Sequence, residues 1–218
     1  MRYSFRLAML AFIVLASPVQ AGGRARGVVE LFTSQGCNSC PPADRALGVL
    51  ANRGGIITLA WHVDYWDYLG WKDTFSSRAF TQRQRAYNAS LGAGVFTPQI
   101  IVNGSRVTST GNMGGAASGG LPVSVDVKRV GGKTIVTVGG GSGSANLYLV
   151  SYTNSSTVAI KRGENSGKLI TYRHAVRGIR NIGKWNGKAA SFEVAAGGSC
   201  AILLQRGGAG TILGAAMC

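Results

Sequence analysis

Apolar and polar positions follow two regimes along this chain. From Gly27 to Thr108, short unbroken apolar runs take turns with stretches of helical spacing. "VVELF" (Val28–Phe32) and "IITLAWHV" (Ile56–Val63) have the length and β-branched content of buried strands. Between them, "PPADRALGVLAN" sets Ala43, Ala46, Leu47, Leu50 and Ala51 three and four residues apart, which is one face of a helix. "SSRAFTQRQRAYNASLG" opens on serines suited to capping, carries Phe80, Tyr87 and Leu91 on one face and closes on Gly92, so it predicts a second helix. A strand over Gln99–Val102, an Asn103-Gly104 turn and a returning strand end the region. Asn-Gly is a strong hairpin signal because both residues tolerate positive φ.

The second regime begins after "STGNMGGAASGG" (Ser109–Gly120), a small-residue, uncharged stretch that reads as a linker. Beyond it come short runs split by glycine-rich turns: "LPVSVDV", "KTIVTV", "NLYLVSY", "TVAIK", "SFEVA" and "AILLQ". Val123, Val125 and Val127 alternate, and strands at such spacing predict a small all-β unit. The expected organisation is therefore an α/β domain over 22–108, a glycine-rich linker over 109–121 and an all-β subdomain over 122–218.

Residues 1–21 stand apart from both regimes. Arg2 and Arg6, an apolar run over Leu7–Ala16 and small residues ending at Ala21 make the pattern of a secretory signal peptide. The run is shorter than the roughly 20 residues a bilayer span needs, and no other stretch approaches that length. The expectation is export to a periplasmic or secreted, oxidising compartment, with no transmembrane segment after cleavage.

Charge alters the picture little. The formal net charge is +15, and the surplus leans to the second half: 9 Lys+Arg against 5 Asp+Glu over 22–108, then 12 against 3 over 109–218. A basic surface favours anionic partners. The cations are nevertheless scattered singly or in pairs without a nucleic-acid motif, so no specific nucleic-acid partner is expected. Nothing in the sequence fixes an oligomeric state.

The chemistry concentrates in "FTSQGCNSCPPADR" (Phe32–Arg45). A Cys-x-x-Cys between a strand and a helix puts Cys37 at or just before a helix N-terminus, where free N–H groups and the helix dipole favour a thiolate. Cys40, one turn on and more buried, is placed to resolve a mixed disulfide. Pro41 and Pro42 fit a first helical turn, which leaves Cys37 in the loop if the helix starts near Ser39 or Cys40. Asp44 suits an early helical position but opposes a nearby thiolate. Three readings of the pair stand open: a redox dithiol, a structural disulfide, and a metal clip.

Neighbouring residues bear on that choice. His62 and Asp64 flank Val63, and strand alternation puts them on one face, as candidates for proton transfer. With Cys37 and Cys40, His62 would also complete a soft or borderline set for Cu(I) or Zn(II). Tyr65, Trp66, Tyr68 and Trp71 in "DYWDYLGWKD" would either wall a ligand site or pack as amphipathic side chains. Asp64, Asp67 and Asp73 have no metal-loop spacing. Cys200 and Cys218, both exported, are expected to form a structural bridge; its loop of about 19 residues corresponds to about 3 kcal/mol on the loop-entropy account. "ENSGK" with His174, Arg177 and Arg180 suggests an anionic-ligand loop at most, and its place between β-type runs makes a solvated turn the default.

"Phe96-Thr97-Pro98-Gln99" before the Asn-Gly hairpin completes a series that resembles the thioredoxin superfamily: strand, Cys-x-x-Cys at a helix start, strand, helix, then Thr-Pro entering a hairpin. The resemblance implies that Pro98 is cis and that the backbone at Thr97 pairs with an extended substrate segment, so that Thr97 and Pro98 shape the substrate groove. Trp66, from the aromatic segment, is a further candidate substrate-binding residue. Longer strings narrow it. "VVELFTSQGCNSCPPADRALGVL", "LAWHVDYWDYLGWKDTFSSRAFTQRQRAY", "VFTPQIIVNG" and "RGENSGKLITYRHAVRGI" followed by "GKWNG" look like the secreted bacterial family called domain of unknown function 1223. That resemblance implies a thioredoxin-like domain with an added all-β subdomain. The chain departs from thioredoxin in having Gly36, not tryptophan, before the first cysteine. It also has a glycine-rich stretch where the last helix would stand.

The sequence therefore predicts an exported thiol–disulfide oxidoreductase-like protein. Its partner would be a protein or a small thiol or disulfide, and no cofactor is called for. Two alternatives remain: a Cu(I)- or Zn(II)-handling protein using Cys37, Cys40 and His62, and a non-enzymatic binding module on the same scaffold.

Overall fold

The apolar runs of the first half pair as neighbouring strands because each is flanked by a helix that covers one of its faces. In the computed structural model, which describes residues 25–130, 132–195 and 197–218, β1 (Gly27–Thr33) is followed by α1 (Pro41–Ala51) and by β2 (Ile56–His62), which lies parallel to β1. The segment expected to be a signal peptide lies outside the described residues. α2 (Arg78–Leu91) leads to the hairpin of β3 (Gln99–Val102) and β4 (Arg106–Thr108), and β3 pairs antiparallel to the other edge of β1.

Alternation along β1 divides the core. Val28 and Phe32 pack with Phe80 and Tyr87 of α2, while Val29 and Leu31 pack with Ala43, Leu47 and Leu50 of α1. Both helix ends follow local chemistry. The Ser77 hydroxyl accepts from the Ala79 N–H at the start of α2, and Gly92 takes the left-handed conformation at its end. Asn103 and Gly104 both have positive φ, as the turn between β3 and β4 requires.

The second half shares the same sheet. β7 (Ala145–Ala159) and β8 (Leu169–Trp185) form a long hairpin, and β8 joins β2 in parallel at Ala60 and Ala175. With β10 (Cys200–Gln205) and β11 (Ile212–Met217), the result is one eight-stranded mixed sheet in the order β11-β10-β7-β8-β2-β1-β3-β4. A separate three-stranded sheet of β5 (Val125–Val130), β6 (Lys133–Val138) and β9 (Ala190–Val194) covers one face of its far half. There Val125, Val127, Val136 and Val138 pack against Leu147, Leu149, Ile202 and Leu204. The fold is a mixed α/β one with few helices.

Two expectations need correcting. "NLYLVSY" and "TVAIK" are parts of one strand, β7, and β8 was not anticipated at all. Register shifts between Leu147 and Tyr148 and between Ser151 and Tyr152 move the hairpin's phase, so no single alternation runs along either strand. The glycine-rich stretch is not a loose linker either. It folds as a single 3-10 turn (Thr110–Asn112) and the short α3 (Met113–Ala116), with Met113 and Ala117 buried against α1 and β3.

The docking of that stretch is tight enough to test. A Cβ on Gly27 would stand 2.1 Å from the Ala117 carbonyl oxygen, a backbone atom that cannot swing aside. Gly27→Ala is expected to cost about 1–3 kcal/mol, as overpacking of a close contact does, read as a lower urea midpoint at an unchanged slope.

Candidate functional site

β1 runs out at Thr33 into a tight loop that places the two cysteines. The Ser34 hydroxyl accepts from the Gly36 N–H at 3.1 Å, the Ser34 carbonyl accepts from Cys37 N–H at 3.2 Å, and the Cys37 carbonyl accepts from Cys40 N–H at 3.2 Å. Cys37 and Cys40 are joined as a disulfide, with their Cα atoms 5.4 Å apart. α1 begins at Pro41, with Cys40 as its N-cap, so Cys37 lies in the loop.

The prolines decide what the helix offers Cys37. Pro41 and Pro42 have no N–H to give, and the next two donors, Ala43 and Asp44, both bond the Cys40 carbonyl at 2.9 and 3.1 Å. The expectation that free N–H groups of the first turn would stabilise a Cys37 thiolate is therefore corrected: those donors are missing or spent. The Ser39 hydroxyl, 3.4 Å from Cys37 Sγ, is the polar neighbour in place.

Inside this loop lies a set of buried titratable groups. His62 Nδ1 is 2.7 Å from Asp73 Oδ2, both fully buried. Asp73 also accepts from the Gln35 N–H at 2.7 Å and the Phe75 N–H at 2.8 Å, which fixes it to the loop just before Cys37. Burial works against a charged imidazole, but the Asp73 carboxylate, with Asp44 further off, more than offsets it, and the His62 pKa is raised.

Asp44 is 3% exposed and accepts from the Thr33 hydroxyl at 3.2 Å. Its burial, only partly relieved by His62 and Thr33, pushes its pKa up to about 7. Tyr172 stands edge-on to the His62 ring, 4.9 Å between centroids, and burial next to Asp44 and Asp73 raises its pKa too. Asp44 Oδ1, His62 Nε2 and the Tyr172 hydroxyl have no protein partner among the described residues.

Asp64 does not join this set. β2 ends at His62, so strand alternation does not extend to Asp64; its carboxylate instead accepts from the Thr81 hydroxyl of α2 at 2.5 Å. The expectation that His62 and Asp64 share one face is corrected accordingly. The aromatic segment divides as well. Trp66 donates to the Thr97 hydroxyl at 2.8 Å, and its Cβ would lie 3.2 Å from a Cβ on Gly36. Trp66 thus links the cysteine loop to the Thr97-Pro98 peptide, which is cis. Trp71 donates to Gln35 Oε1 at 2.9 Å, while Tyr68 is 81% exposed.

Sequence reasoning missed Asn165. The "ENSGK" turn is exposed except at Asn165, which is 0% exposed and whose amide donates to the carbonyls of Gln35 at 2.9 Å and Cys37 at 2.8 Å. A lone asparagine in a glycine-containing turn carries no signal for this, because its partners are more than 120 residues away. Both cysteines are 0% exposed. No group of three His, Cys, Asp or Glu side chains suited to a metal occurs among the described residues. Cys200 and Cys218 are bonded to each other, and the Cys218 N–H donates to the Cys200 carbonyl at 2.8 Å.

The sequence signature described as "Protein of unknown function (DUF1223)" matches residues 28–201. The chain belongs to this family. A similar solved structure is that of protein AGR_C_4864 from Agrobacterium tumefaciens, 36% identical, with a TM-score of 0.79, covering 89% of this chain and 94% of that one. HBP35 of Porphyromonas gingivalis is 15% identical, with a TM-score of 0.59 over 89% of this chain and 74% of that one; at this identity the likeness is one of fold. No curated protein matches the chain. The DUF1223 match includes both cysteines of the Cys-x-x-Cys and the Asn165 turn, but not Cys218. Among the described residues, no helix is long and apolar enough to cross a membrane.

Proposed function

We propose that this DUF1223 protein is an exported thiol–disulfide oxidoreductase-like protein on a thioredoxin-like scaffold, working through Cys37 and Cys40. The observation that carries the reading is the placement of the bonded pair. It lies between β1 and α1, and Trp66, which donates to the Thr97 hydroxyl, stands directly beside Gly36 of its loop. Order and pairing of β1, α1, β2, α2, β3 and β4 support the scaffold assignment.

In the reduced state, Cys37 would attack a partner disulfide and Cys40 would resolve the mixed disulfide. Asp44 and His62, the latter held by Asp73, supply buried proton positions beside the loop, and Asp44 with a pKa pushed up to about 7 can be neutral while a thiolate forms. A pair closing a four-residue loop contributes little chain entropy, which fits an exchangeable bond better than a structural one.

The test is a redox titration of the Cys37–Cys40 pair against glutathione, with and without Cu(I), in wild type and Cys37→Ser. The expected result is reversible cycling in wild type. Cys40→Ser should trap mixed disulfides through Cys37, and Cys37→Ser should trap none at that position. A pair that neither cycles nor traps would overturn the reading. Stoichiometric Cu(I) binding by the reduced protein, lost in Cys37→Ser, would replace it with metal handling.

A further inference from the structure

A disulfide that is 0% exposed at both cysteines cannot be reached by a thiol until something moves. The tip between β7 and β8 is hydrogen-bonded to the loop that carries it. Its own bonds make it a unit: Gly167 N–H donates to the Ile160 carbonyl at 2.8 Å, Ile160 N–H to the Lys168 carbonyl at 2.9 Å, and Ser166 N–H to the Gly163 carbonyl at 3.0 Å. Asn165 is its attachment to the cysteine loop, through the two bonds to the Gln35 and Cys37 carbonyls. Lys168 Nζ in turn donates to Asn165 Oδ1 at 2.7 Å and holds the amide in that orientation.

Lys168 has a second setting. With Arg45 it lines an open cleft of about 420 Å³, whose other walls include Asn38, Pro41 and Pro42. Asn38 lies between the cysteines and Pro41 directly follows Cys40. Both cations are exposed, and neither is in an ion pair among the described residues. A carboxylate taken up in this cleft would satisfy Arg45 and compete with Asn165 Oδ1 for the Lys168 ammonium, since an anion is the stronger acceptor.

We infer that the tip over 161–168 is a gate on the Cys37–Cys40 disulfide, and that small thiols carrying carboxylate groups open it through Arg45 and Lys168. The inference rests on the dithiol reading above and names its substrate class. Once the tip lifts, a substrate thiolate attacks Cys37 Sγ. The new S–S bond forms as the Cys37–Cys40 bond breaks, and Cys40 Sγ leaves with the bonding pair and takes up a proton. A second substrate thiolate attacks the substrate sulfur of this mixed disulfide and releases Cys37 as a thiolate. Two thiols are oxidised to one disulfide, and the protein pair is reduced.

The experiment compares reduction of the intact protein by 3-mercaptopropionate, 2-mercaptoethanol and cysteamine, each rate corrected for the thiolate present. Peptide mapping separates Cys37–Cys40 from Cys200–Cys218. The anionic thiol should be fastest and the cationic one slowest, and Arg45→Gln should narrow that spread about fivefold, as loss of a local charge does. Lys188→Gln, in the turn after the other end of β8, should leave it unchanged, which separates the cleft from the protein's overall positive charge. Asn165→Ala should speed all three about tenfold, the equivalent of one or two lost hydrogen bonds. An unchanged spread in Arg45→Gln, or unchanged rates in a folded Asn165→Ala, overturns the inference. If no thiol reduces the pair even in Asn165→Ala, while the unfolded chain is reduced, the dithiol reading itself falls.

Discussion

Glu30→Gln is expected to destabilise the fold by about 3–5 kcal/mol, the usual cost of leaving one partner of a buried ion pair alone. Glu30 is fully buried in β1, and its Oε1 accepts from Arg83 Nε of α2 at 2.8 Å. Its other oxygen accepts from the Tyr87 hydroxyl. Arg83 also donates to Gln205 Oε1 at 3.0 Å and to the Tyr87 hydroxyl at 2.9 Å, and Gln205 Nε2 donates to that hydroxyl at 2.6 Å. The guanidinium lies over Trp61 and Tyr87, 4.8 and 5.0 Å from their ring centroids.

The network thus ties together β1, α2 and β10, across what the sequence divides into two domains. Removing the carboxylate charge strands a guanidinium that is 8% exposed. The double substitution Glu30→Gln with Arg83→Met removes both charges and should recover much of the loss, since well-packed apolar replacements of buried pairs are often neutral. Urea unfolding of the two single variants and the double variant gives the coupling directly. If Glu30→Gln costs under about 1 kcal/mol, the range of an exposed pair, the pair is not the keystone described.

How much of this was legible beforehand depended on whether the signal was local. α1, α2, β1 and β2 follow apolar runs and caps that lie within a dozen residues of each other. The Asn103-Gly104 turn is likewise a two-residue statement. The site was legible at its centre for the same reason, because Cys37, Cys40 and their prolines are contiguous. What could not be read is long-range. Asp73 reaches His62 across an irregular loop, and Asn165 reaches Cys37 from the far end of another hairpin. β8 escaped notice because its bulges break the period of two and because Arg173, Arg177 and Arg180 interrupt its apolar positions, as charges in a solvated turn would. The sheet crosses the expected domain boundary through one register pair, Ala60 with Ala175, and nothing in either residue announces it.

Asp44→Asn is expected to change the sign of its effect with pH. In the folded protein the Asp44 carboxyl is pushed up to about 7 from its ordinary 3.8, chiefly by burial. Between those values the native state holds a proton that the unfolded chain has released, so stability falls as pH rises. The full penalty of about 4 kcal/mol, at 1.36 kcal/mol per unit, is reached only above the folded pKa. His62 adds to the same slope. Its pKa is raised as well, so its support from Asp73 is complete below its ordinary 6.5 and is lost as pH climbs through the folded value.

Asparagine cannot ionise and keeps an oxygen for the Thr33 hydroxyl. The variant should therefore match or fall slightly below wild type only below the carboxyl's ordinary 3.8, where that group is neutral in both the folded and the unfolded chain. Near pH 8 it should exceed wild type by a few kcal/mol, with His62 left to supply the remaining slope. Urea midpoints measured from about pH 3 to 8.5, which brackets the ordinary and the folded Asp44 values, on the oxidised proteins keep thiol ionisation out of the comparison. Parallel curves for the two proteins would mean that Asp44 titrates like an exposed carboxyl, and the buried acid beneath the cysteine loop would lose its place in the chemistry.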